Sequence, residues 1–332
     1  MAGDKVLQQS QIKVEVSAGT NVACTTRLLA LSIMPVPEGG ANVAFAPEGF
    51  RANTLTKATN KEHATVTVDG IADYRSLAWI LDSVFGAATP AQLGGTAAYS
   101  RTYEFDPNEE PTRSTYSAEF GDEDLASEVS YMIFHSFGIV ANREDVTLNI
   151  GAFSGKVVDG ISLASVTNTV TPVPILAQHI SYFLEADEAT LDDDDPVAVA
   201  LTRVVEVDYH CNNGVKPRYS ANSDGSFSEI TELLPEHGGV LKLWKNSDSM
   251  AVRELARANT RQFLRIKAVG ATIASTYKYT LQITVPIEFL DPGTQGDEDD
   301  AVAITLPFTA VYDSTSGFAA ELVLINNVAA VA

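Results

Sequence analysis

The sequence predicts a mainly β protein with two tandem domains. Apolar and polar residues alternate with period two in many short segments, which is the pattern of strands with one buried face. In KYTLQITVPI, apolar residues from Tyr279 to Ile287 share one face, and Thr280, Gln282 and Thr284 share the other. Only two segments have a helical period, one in each half of the chain. Strands and helices do not alternate regularly, so we expect antiparallel sheets of the sandwich or barrel type.

Further strand patterns occur along both halves of the chain. Pro286 and Pro307 lie inside two of them, and proline cannot donate to a strand ladder. We therefore expect these two strands to lie at sheet edges or to bend at the proline. The other predicted strands are IKVEV, ATVTV, TYSAEF, YMIFHSFGIV, VTLNIGAF, RVVEVDYH, VAITLPFTAV and AELVLIN.

The first helix is predicted over residues 73–86, DYRSLAWILDSVFG. Asp73 is suited to cap its start, and Gly86 lies where a left-handed residue often ends a helix. Its apolar residues recur at the spacing of one helix face, so we expect that face to cover a sheet. The residues of this face are Tyr74, Leu77, Leu81, Val84 and Phe85.

The second helix is predicted over residues 246–260, with Ser247 or Ser249 as its cap. Each helix precedes a group of strands, which indicates a structural duplication although the two halves share little sequence. The segment 162–174 is rich in Ser, Thr and Pro, as a linker or crossover would be. We therefore place one domain at 1–165 and the other at 166–332.

Composition constrains the class of protein. The formal net charge is −21, with 22 basic and 43 acidic residues, which argues against a surface that grips nucleic acid. No segment approaches the ~20 apolar residues of a membrane helix, and the N-terminal residues do not resemble a signal peptide. Cys24 and Cys211 form no paired-cysteine motif. These features predict a soluble protein that is made in a cytoplasm, without a membrane partner.

Two acidic runs, 185–196 and 291–300, are expected to form surface loops because clustered like charges stay solvated. Neither has the ligand spacing of a calcium loop, so we do not expect a metal there. In an assembly these loops could order against a neighbouring subunit or a neighbouring ring. The candidate residues are Asp192, Asp193, Asp194, Asp195, Asp297, Glu298, Asp299 and Asp300.

Catalytic and cofactor motifs are not found in the sequence. His210 and Cys211 are adjacent, so in a strand they point to opposite faces and cannot serve one metal. The other histidines lack metal-ligand spacing, and no nucleophile, phosphate or dinucleotide motif occurs. Trp79 and Trp244 are predicted to be core residues. We therefore expect neither an enzyme nor a cofactor, and favour a structural or binding protein.

Four stretches resemble the major tail tube proteins of long-tailed, siphovirus-type bacteriophages. The strongest resemblance is ATVTVDGIADYRSLAWILDSVFGAATP followed by YEFDPNEEPTRSTYSAEFGD, a strand, a short helix, a loop and two strands. NTLTKATNKEHATVTVDG resembles the opening of the family. AVAITLPFTAVYDSTSGFAAELVLIN is similar to its closing hairpin, which ends at Asn326.

The resemblance implies two tail-tube-like β-sandwich or barrel domains, each with a flanking helix. Strands from all subunits of a ring would close one β-barrel around a lumen, and rings would stack into the conduit for DNA ejection. A two-domain chain fits a trimeric ring with pseudo-sixfold symmetry, with a hexameric ring as the alternative. Thr280, Gln282 and Thr284 are candidates to face the lumen, although the exterior is also possible.

The same resemblance implies partners and a location. The partners would be further copies of the chain, a tape-measure protein and tail-end proteins, with DNA passing without specific binding. The location would be the virion tail, assembled in the cytoplasm of a host bacterium. Two other classes stay open: a β-sandwich adhesin or carbohydrate-binding module, which needs an exposed aromatic platform, and a polysaccharide-cleaving enzyme, which needs paired carboxylates in a cleft.

Overall fold

The prediction of a mainly β fold is confirmed. In a computed structural model, residues 8–44, 56–105, 110–122, 124–191, 201, 203–220 and 225–331 are described. These residues form 21 strands and two α-helices, α1 (Leu77–Val84) and α2 (Ser247–Arg257). One extensive hydrophobic core contains residues from both halves of the chain.

The strands of the first half are β1 (Gln9–Val14), β2 (Thr26–Leu28), β3 (Leu31–Ala44), β4 (Thr56–Gly70), β5 (Ala91–Gln92), β6 (Tyr99–Glu104), β7 (Tyr116–Gly121), β8 (Ala126–Asn142), β9 (Val146–Ser154), β10 (Val158–Ile161) and β11 (Asn168–Val170). Those of the second half are β12 (Ile180–Glu185), β13 (Val204–Asn212), β14 (Lys216–Arg218), β15 (Glu229–Thr231), β16 (Glu236–Trp244), β17 (Gln262–Ala274), β18 (Tyr277–Phe289), β19 (Thr294–Glu298), β20 (Ala301–Ala310) and β21 (Glu321–Asn326).

Eight strands form what we call the long sheet, in the order β3-β4-β9-β8-β13-β16-β20-β19. Four of them come from each half, and every neighbouring pair is antiparallel. The two halves meet where the later part of β8 pairs with β13, from Ser136 opposite Asn212 to Asn142 opposite Glu206. A continuous ladder therefore crosses from one half to the other.

Two smaller sheets complete the main architecture. The N-sheet has the order β11-β2-β1-β7-β8-β10, and the C-sheet has the order β12-β17-β18-β21-β6-β5. β8 belongs to the N-sheet in its first part and to the long sheet in its later part. β18 changes partner in the same way, since its last residues, Ile287–Phe289, pair with β20.

The same pairing pattern occurs once in each half. Met132 of β8 lies opposite Tyr116, the first residue of β7, and the next residue pairs with β9. In the second half, Ile287 of β18 lies opposite Gln262, the first residue of β17, and also pairs with β20. The corresponding elements are β1 and β12, β3 and β13, β4 and β16, α1 and α2, β7 and β17, β8 and β18 continued by β19, β9 and β20, and β10 and β21.

The segment 162–174 packs against the first half of the chain and is not a free linker. It contains β11, which pairs in parallel with β2. Near its end, the Tyr74 amide donates to the Val173 carbonyl oxygen at 3.1 Å, and the Val173 amide donates to the Asp73 carboxylate. The proposed domain seam is therefore an ordered crossover.

Pro286 and Pro307 lie where a strand changes its pairing partner, and neither lies on an edge strand. Pro286 follows the part of β18 that pairs with β21 and precedes the part that pairs with β20. Pro307 lies between the residues of β20 that pair with β19 and those that pair with β18. The edge alternative predicted for these strands is therefore wrong, and the bend stays a prediction; the missing N–H falls where one partner strand gives way to another.

Helix α1 corrects the prediction of a helix that covers a sheet with one face. Every residue from Leu77 to Val84 is buried, including Asp82 and Ser83. The Tyr103 hydroxyl donates to Asp82 Oδ1 at 2.7 Å, and the Phe134 amide donates to Ser83 Oγ at 3.0 Å. Neighbouring strands supply these partners, so the polar side of the helix is buried with its hydrogen bonds satisfied.

The predicted apolar residues Tyr74, Leu77, Leu81 and Phe85 are all buried. Tyr74 precedes the helix, however, because the helix begins at Leu77 with Ser76 as its N-cap. Asp73 instead accepts a hydrogen bond of 2.8 Å from the Ser76 amide. Trp79 is fully buried as predicted, whereas Trp244 is only partly buried.

Helix α2 differs from α1 in both cap and burial. Its cap is Asn246 and not Ser247 or Ser249. The Asn246 side chain accepts from the Ser249 amide at 2.8 Å, and the Ser249 hydroxyl accepts from the Asn246 amide at 2.8 Å. This capping box starts a helix that buries only Ser249, Val252 and Ala256 and leaves its other side chains partly or fully exposed.

Candidate assembly surface

The long sheet has one apolar face in the core and one face that is largely polar, which we call the polar face. Core residues such as Val207 and Leu241 alternate with residues that point away from the core. The polar face consists of the outward side chains of the five strands β9, β8, β13, β16 and β20. Its members are Thr147, Asn149, Val140, Asn142, Glu206, Asp208, His210, Val240, Lys242, Thr305, Pro307 and Thr309, with Gly138 and Gly238.

The polar face as defined carries one ammonium group, that of Lys242. Lys242 Nζ forms an ion pair with Glu298, the last residue of β19. Glu206 and Asp208 lie beside it on β13 and add negative charge. On these five strands the face is thus neutral to acidic, and their one ammonium group is already paired with a carboxylate.

Strand β3 forms one free edge of the long sheet, since no strand of the described residues pairs with it on the side away from β4. In an antiparallel strand, the N–H and C=O of one residue point to the same side, and those of the next residue point to the other. The Ile33 amide donates to Ser10 Oγ at 3.0 Å, so the odd-numbered residues of this part of β3 face away from β4. Pro35 and Pro37 occupy the next two outward positions. Between Ile33 and Pro37, the edge therefore presents carbonyl acceptors but no available amide donor.

Strand β19 forms the other free edge, because within the described part of the chain it pairs only with β20. The Lys245 amide donates to the Val302 carbonyl oxygen at 2.9 Å, so the backbone groups of Val302 face β16. Asp297 lies opposite Val302 across the β19–β20 pair. Its backbone groups, and those of Gln295 two residues earlier, therefore point to the free edge. Unlike β3, this edge retains amide donors.

The second acidic run forms a tight hairpin between β19 and β20. Asp299 and Asp300 have φ of 46° and 61°, as a two-residue turn requires when it joins antiparallel strands. Arg143 Nη2 lies 2.6 Å from Asp299 Oδ2, and its guanidinium lies 5.4 Å from the centre of the Trp244 ring. Glu298 and Asp299 thus have partners within their own chain.

Residues Asp192, Asp193, Asp194 and Asp195 of the first acidic run lie outside the described residues. Asp297 and Asp300 are both exposed on the β19–β20 hairpin. Asp297 lies on β19, and Asp300 lies in the turn. Whether a neighbouring subunit contacts any of these acidic residues stays a prediction.

The candidate lumen residues lie on the C-sheet and not on the long sheet. Thr280 and Gln282 are partly exposed on its outer face. Thr284 is fully buried, so its prediction as a lumen-facing residue is corrected. The Arg265 guanidinium donates from Nε to Thr284 Oγ1 at 3.1 Å and also to the Leu191 carbonyl oxygen. The short 3₁₀ turn Glu188–Leu191 thus covers this end of the sheet.

A buried polar group lies where β13 meets β16. His237 Nδ1 is 3.2 Å from the Tyr209 hydroxyl, and His237 Nε2 is 3.8 Å from Cys211 Sγ. Burial, with His210 nearby, lowers the pKa of His237 to about 4. Burial also raises the pKa of the Cys211 thiol. The thiol therefore stays protonated and is poorly suited to act as a nucleophile.

An apolar groove of about 780 Å³ lies beside this group, over Gly239 and Phe308. Leu234 and Leu290 line it and are 91% and 66% exposed. Tyr312, also in the lining, is the one aromatic residue among the exposed large hydrophobic side chains of the described residues. Phe105 and Phe308 also line the groove, but Phe308 is buried and Phe105 is only partly exposed.

No model of a known protein family matches the sequence, and a search of curated proteins finds no match either. Neither helix of the described chain has the length and apolarity to cross a membrane. Within the same residues, no group of three or more His, Cys, Asp or Glu side chains is arranged to hold a metal ion.

Proposed function

We propose that this chain is the repeating structural subunit of the tail tube of a long-tailed bacteriophage. In this role it has no catalytic activity; it assembles into rings, and the rings stack into a conduit for DNA ejection. The proposal rests on the long sheet, which takes four strands from each half and ends in free edges at β3 and β19. A sheet with two different free edges can extend by adding further copies of itself.

The repeated pairing pattern supports two tail-tube-like domains in one chain. The domains would share one ladder at the β8–β13 joint, and the first would end in the ordered crossover at 162–174. Three chains would then supply six equivalent units, which favours a trimeric ring with pseudo-sixfold symmetry. A hexameric ring of whole chains is the alternative.

The polar face of the long sheet is the surface that we propose for the lumen, in place of the C-sheet face with Thr280 and Gln282. It is neutral to acidic, and Lys242 is paired with Glu298. Passing DNA would meet no cluster of cations able to displace its counterions, so it would slide without being held. Tape-measure and tail-end proteins would be the other partners, in the virion tail.

Electron microscopy of the purified full-length chain tests this function, with light scattering to measure the mass of the particles. The expected result is hollow tubes with a regular axial repeat, or rings of uniform size that stack as concentration rises. Asn327→Ala, directly after β21 of the C-sheet and on neither edge strand of the long sheet, is a control that should assemble normally. Monodisperse monomers at all protein concentrations up to the solubility limit would contradict the proposal.

A further inference from the structure

We propose that β19 of one copy pairs antiparallel with β3 of a second copy, in the register in which β8 pairs with β13 inside each chain. This inference rests on the proposed function, because it specifies the joint by which the subunits would form a ring. It commits to one partner, a second copy of this chain. The internal joint between the two halves serves as the template for the external one.

The repeated pairing pattern identifies the equivalent strands. The later part of β8 forms a hairpin with β9, and β19 forms a hairpin with β20, the counterpart of β9. β13 pairs with β16, and β3 pairs with β4, the counterpart of β16. Inside each chain, β8 pairs with β13 and so joins the two halves. The strand equivalent to β8 is β19 and the strand equivalent to β13 is β3, and these two strands end the long sheet.

The register follows from rows of residues across the long sheet. Val36, Thr65, Phe153 and Ile133 form one row, and their counterparts are His210, Gly238, Thr309 and Glu288. Counting along the equivalent strands β9 and β20 matches Asn149 with Thr305, and hence Gly138 with Thr294. Since Gly138 lies opposite His210, Thr294 should lie opposite Val36. The same count places Gly296 opposite Met34 and Glu298 opposite Ser32.

The backbone groups of the two edges explain why β3 of one copy would join β19 of another copy and not a second β3. In the internal joint, the Asn213 amide donates to the His135 carbonyl oxygen at 2.9 Å, so the odd-numbered residues of this end of β13 face β8. Their counterparts on β3 include Pro35 and Pro37. Two β3 edges cannot form a regular ladder with each other, because neither supplies donors there. The edge of β19 does supply them, and the Gln295 amide would donate to the Pro35 carbonyl oxygen.

The side chains of the two edges also fit. Met34 and Val36 are large apolar residues on an edge strand and are 41% and 43% exposed. In the proposed register, Met34 lies opposite Gly296, where a Cβ would meet no atom within 4 Å. The joint therefore covers two apolar side chains that the isolated chain leaves in water.

Disulfide trapping tests the register. Val36 and Thr294 would form a directly opposed pair without backbone hydrogen bonds, whose Cβ atoms lie ~5 Å apart in such pairs. That spacing allows a disulfide after small adjustment. The double variant Val36→Cys with Thr294→Cys should give covalent multimers on mild oxidation, while each single variant stays monomeric on a denaturing gel. The native Cys24 and Cys211 are buried and should not contribute.

Val140→Cys with Asp208→Cys is the positive control, since these residues are directly opposed in the internal joint. This pair should give an intrachain disulfide under the same oxidation. If it does and the Val36–Thr294 pair gives no multimers, the proposed joint is overturned. Efficient dimers of the single variant Val36→Cys would also overturn it, because they would show β3 pairing with β3.

A second pair of variants tests the donor at the β19 edge. Gln295→Pro removes the amide that faces the free edge, whereas Gln295→Ala keeps it. Both should fold like the original chain, as judged by circular dichroism and melting temperature, but only Gln295→Pro should lose assembly in light scattering. Equal assembly of both would overturn the joint. If the double cysteine variant forms tubes but its Val36 and Thr294 positions do not cross-link, the joint alone is overturned. If no assembly forms at all, the proposed function is overturned as well.

Discussion

Asn326, on the last strand of the chain, donates a hydrogen bond of 3.0 Å to the carbonyl oxygen of Tyr74, just before helix α1. Its side-chain oxygen accepts from the Arg101 guanidinium at 3.2 Å and from the Val328 amide at 3.0 Å. Asn326 and Arg101 are almost fully buried. One side chain of the second half thus satisfies polar groups of the first half within the core.

Asn326→Ala is therefore expected to lower the free energy of unfolding by about 2–4 kcal/mol, because it leaves a buried guanidinium and a buried carbonyl oxygen without their partner. Urea denaturation measures the change. The neighbouring Asn327 has a side-chain oxygen without a hydrogen-bond partner, so Asn327→Ala should change stability by less than about 0.5 kcal/mol. Similar effects of the two substitutions would contradict this account of Asn326.

Leu81→Ala is expected to lower the free energy of unfolding by about 2–5 kcal/mol, because Leu81 is fully buried in a helix enclosed on all sides. Leu255→Ala in α2 is the matched control. Leu255 is partly exposed, so its truncation should cost less than about 1 kcal/mol. Thermal unfolding of both variants provides the comparison. Equal losses would mean that α1 and α2 contribute alike to the core, contrary to their burial.

The sequence predicted the β class, the two helices and the apolar residues of α1, but not the surroundings of α1. Asp82 and Ser83 appear in sequence as the solvent side of an amphipathic helix. Their partners, Tyr103 and Phe134, lie on strands 21 and 51 residues away, and helical periodicity carries no information about such contacts. Tertiary packing thus decided the burial of this helix.

The candidate site shows the same limit. Thr284 follows the alternation of Thr280 and Gln282, so its pattern alone gave no sign that Arg265 and the segment ending at Leu191 would cover it. Strand β3 was not among the predicted strands, since two prolines interrupt its pattern. Prolines are compatible with a free edge, and that position emerged only once the pairing of β3 with β4 was known.

Folding stability is expected to fall below pH 6.5 through the histidine His237. Burial holds the folded-state pKa at about 4, below the usual histidine pKa of 6.5. The contribution of the neutral ring is therefore complete above pH 6.5, is lost as the pH falls to about 4, and is constant below that. Urea denaturation at several pH values should show that His237→Gln reduces this loss by about 3 kcal/mol. Identical pH profiles of the two proteins would contradict this role of His237. The free energies of unfolding are compared relative to their values at pH 7.5, so that a pH-independent effect of the substitution cancels.

Reversing one charge on the polar face should make assembled tubes retain DNA, if that face lines the lumen. Asp208→Lys places an ammonium group beside Lys242 on this face, where it can contact phosphate. Asp159→Lys, on the exposed strand β10, makes the same charge change elsewhere. Short duplex DNA should sediment with Asp208→Lys tubes and not with Asp159→Lys tubes at about 0.1 M salt, where charges interact over ~10 Å. The reverse result would place the lumen on another face.

Replacing both edge prolines, Pro35→Val with Pro37→Val, should turn ordered assembly into irregular association. The substitution restores two amide donors that face away from β4, so that two β3 edges can pair with each other as well as with β19. We expect fewer regular tubes in electron microscopy and more aggregate in light scattering, with the melting temperature of the dilute protein little changed. Pro217→Val, on β14 of the separate two-stranded sheet, is the control and should assemble normally. Regular tubes from the double variant in normal yield would show that the prolines do not control which edges join, and the selective role of the β3 edge would then have to be abandoned.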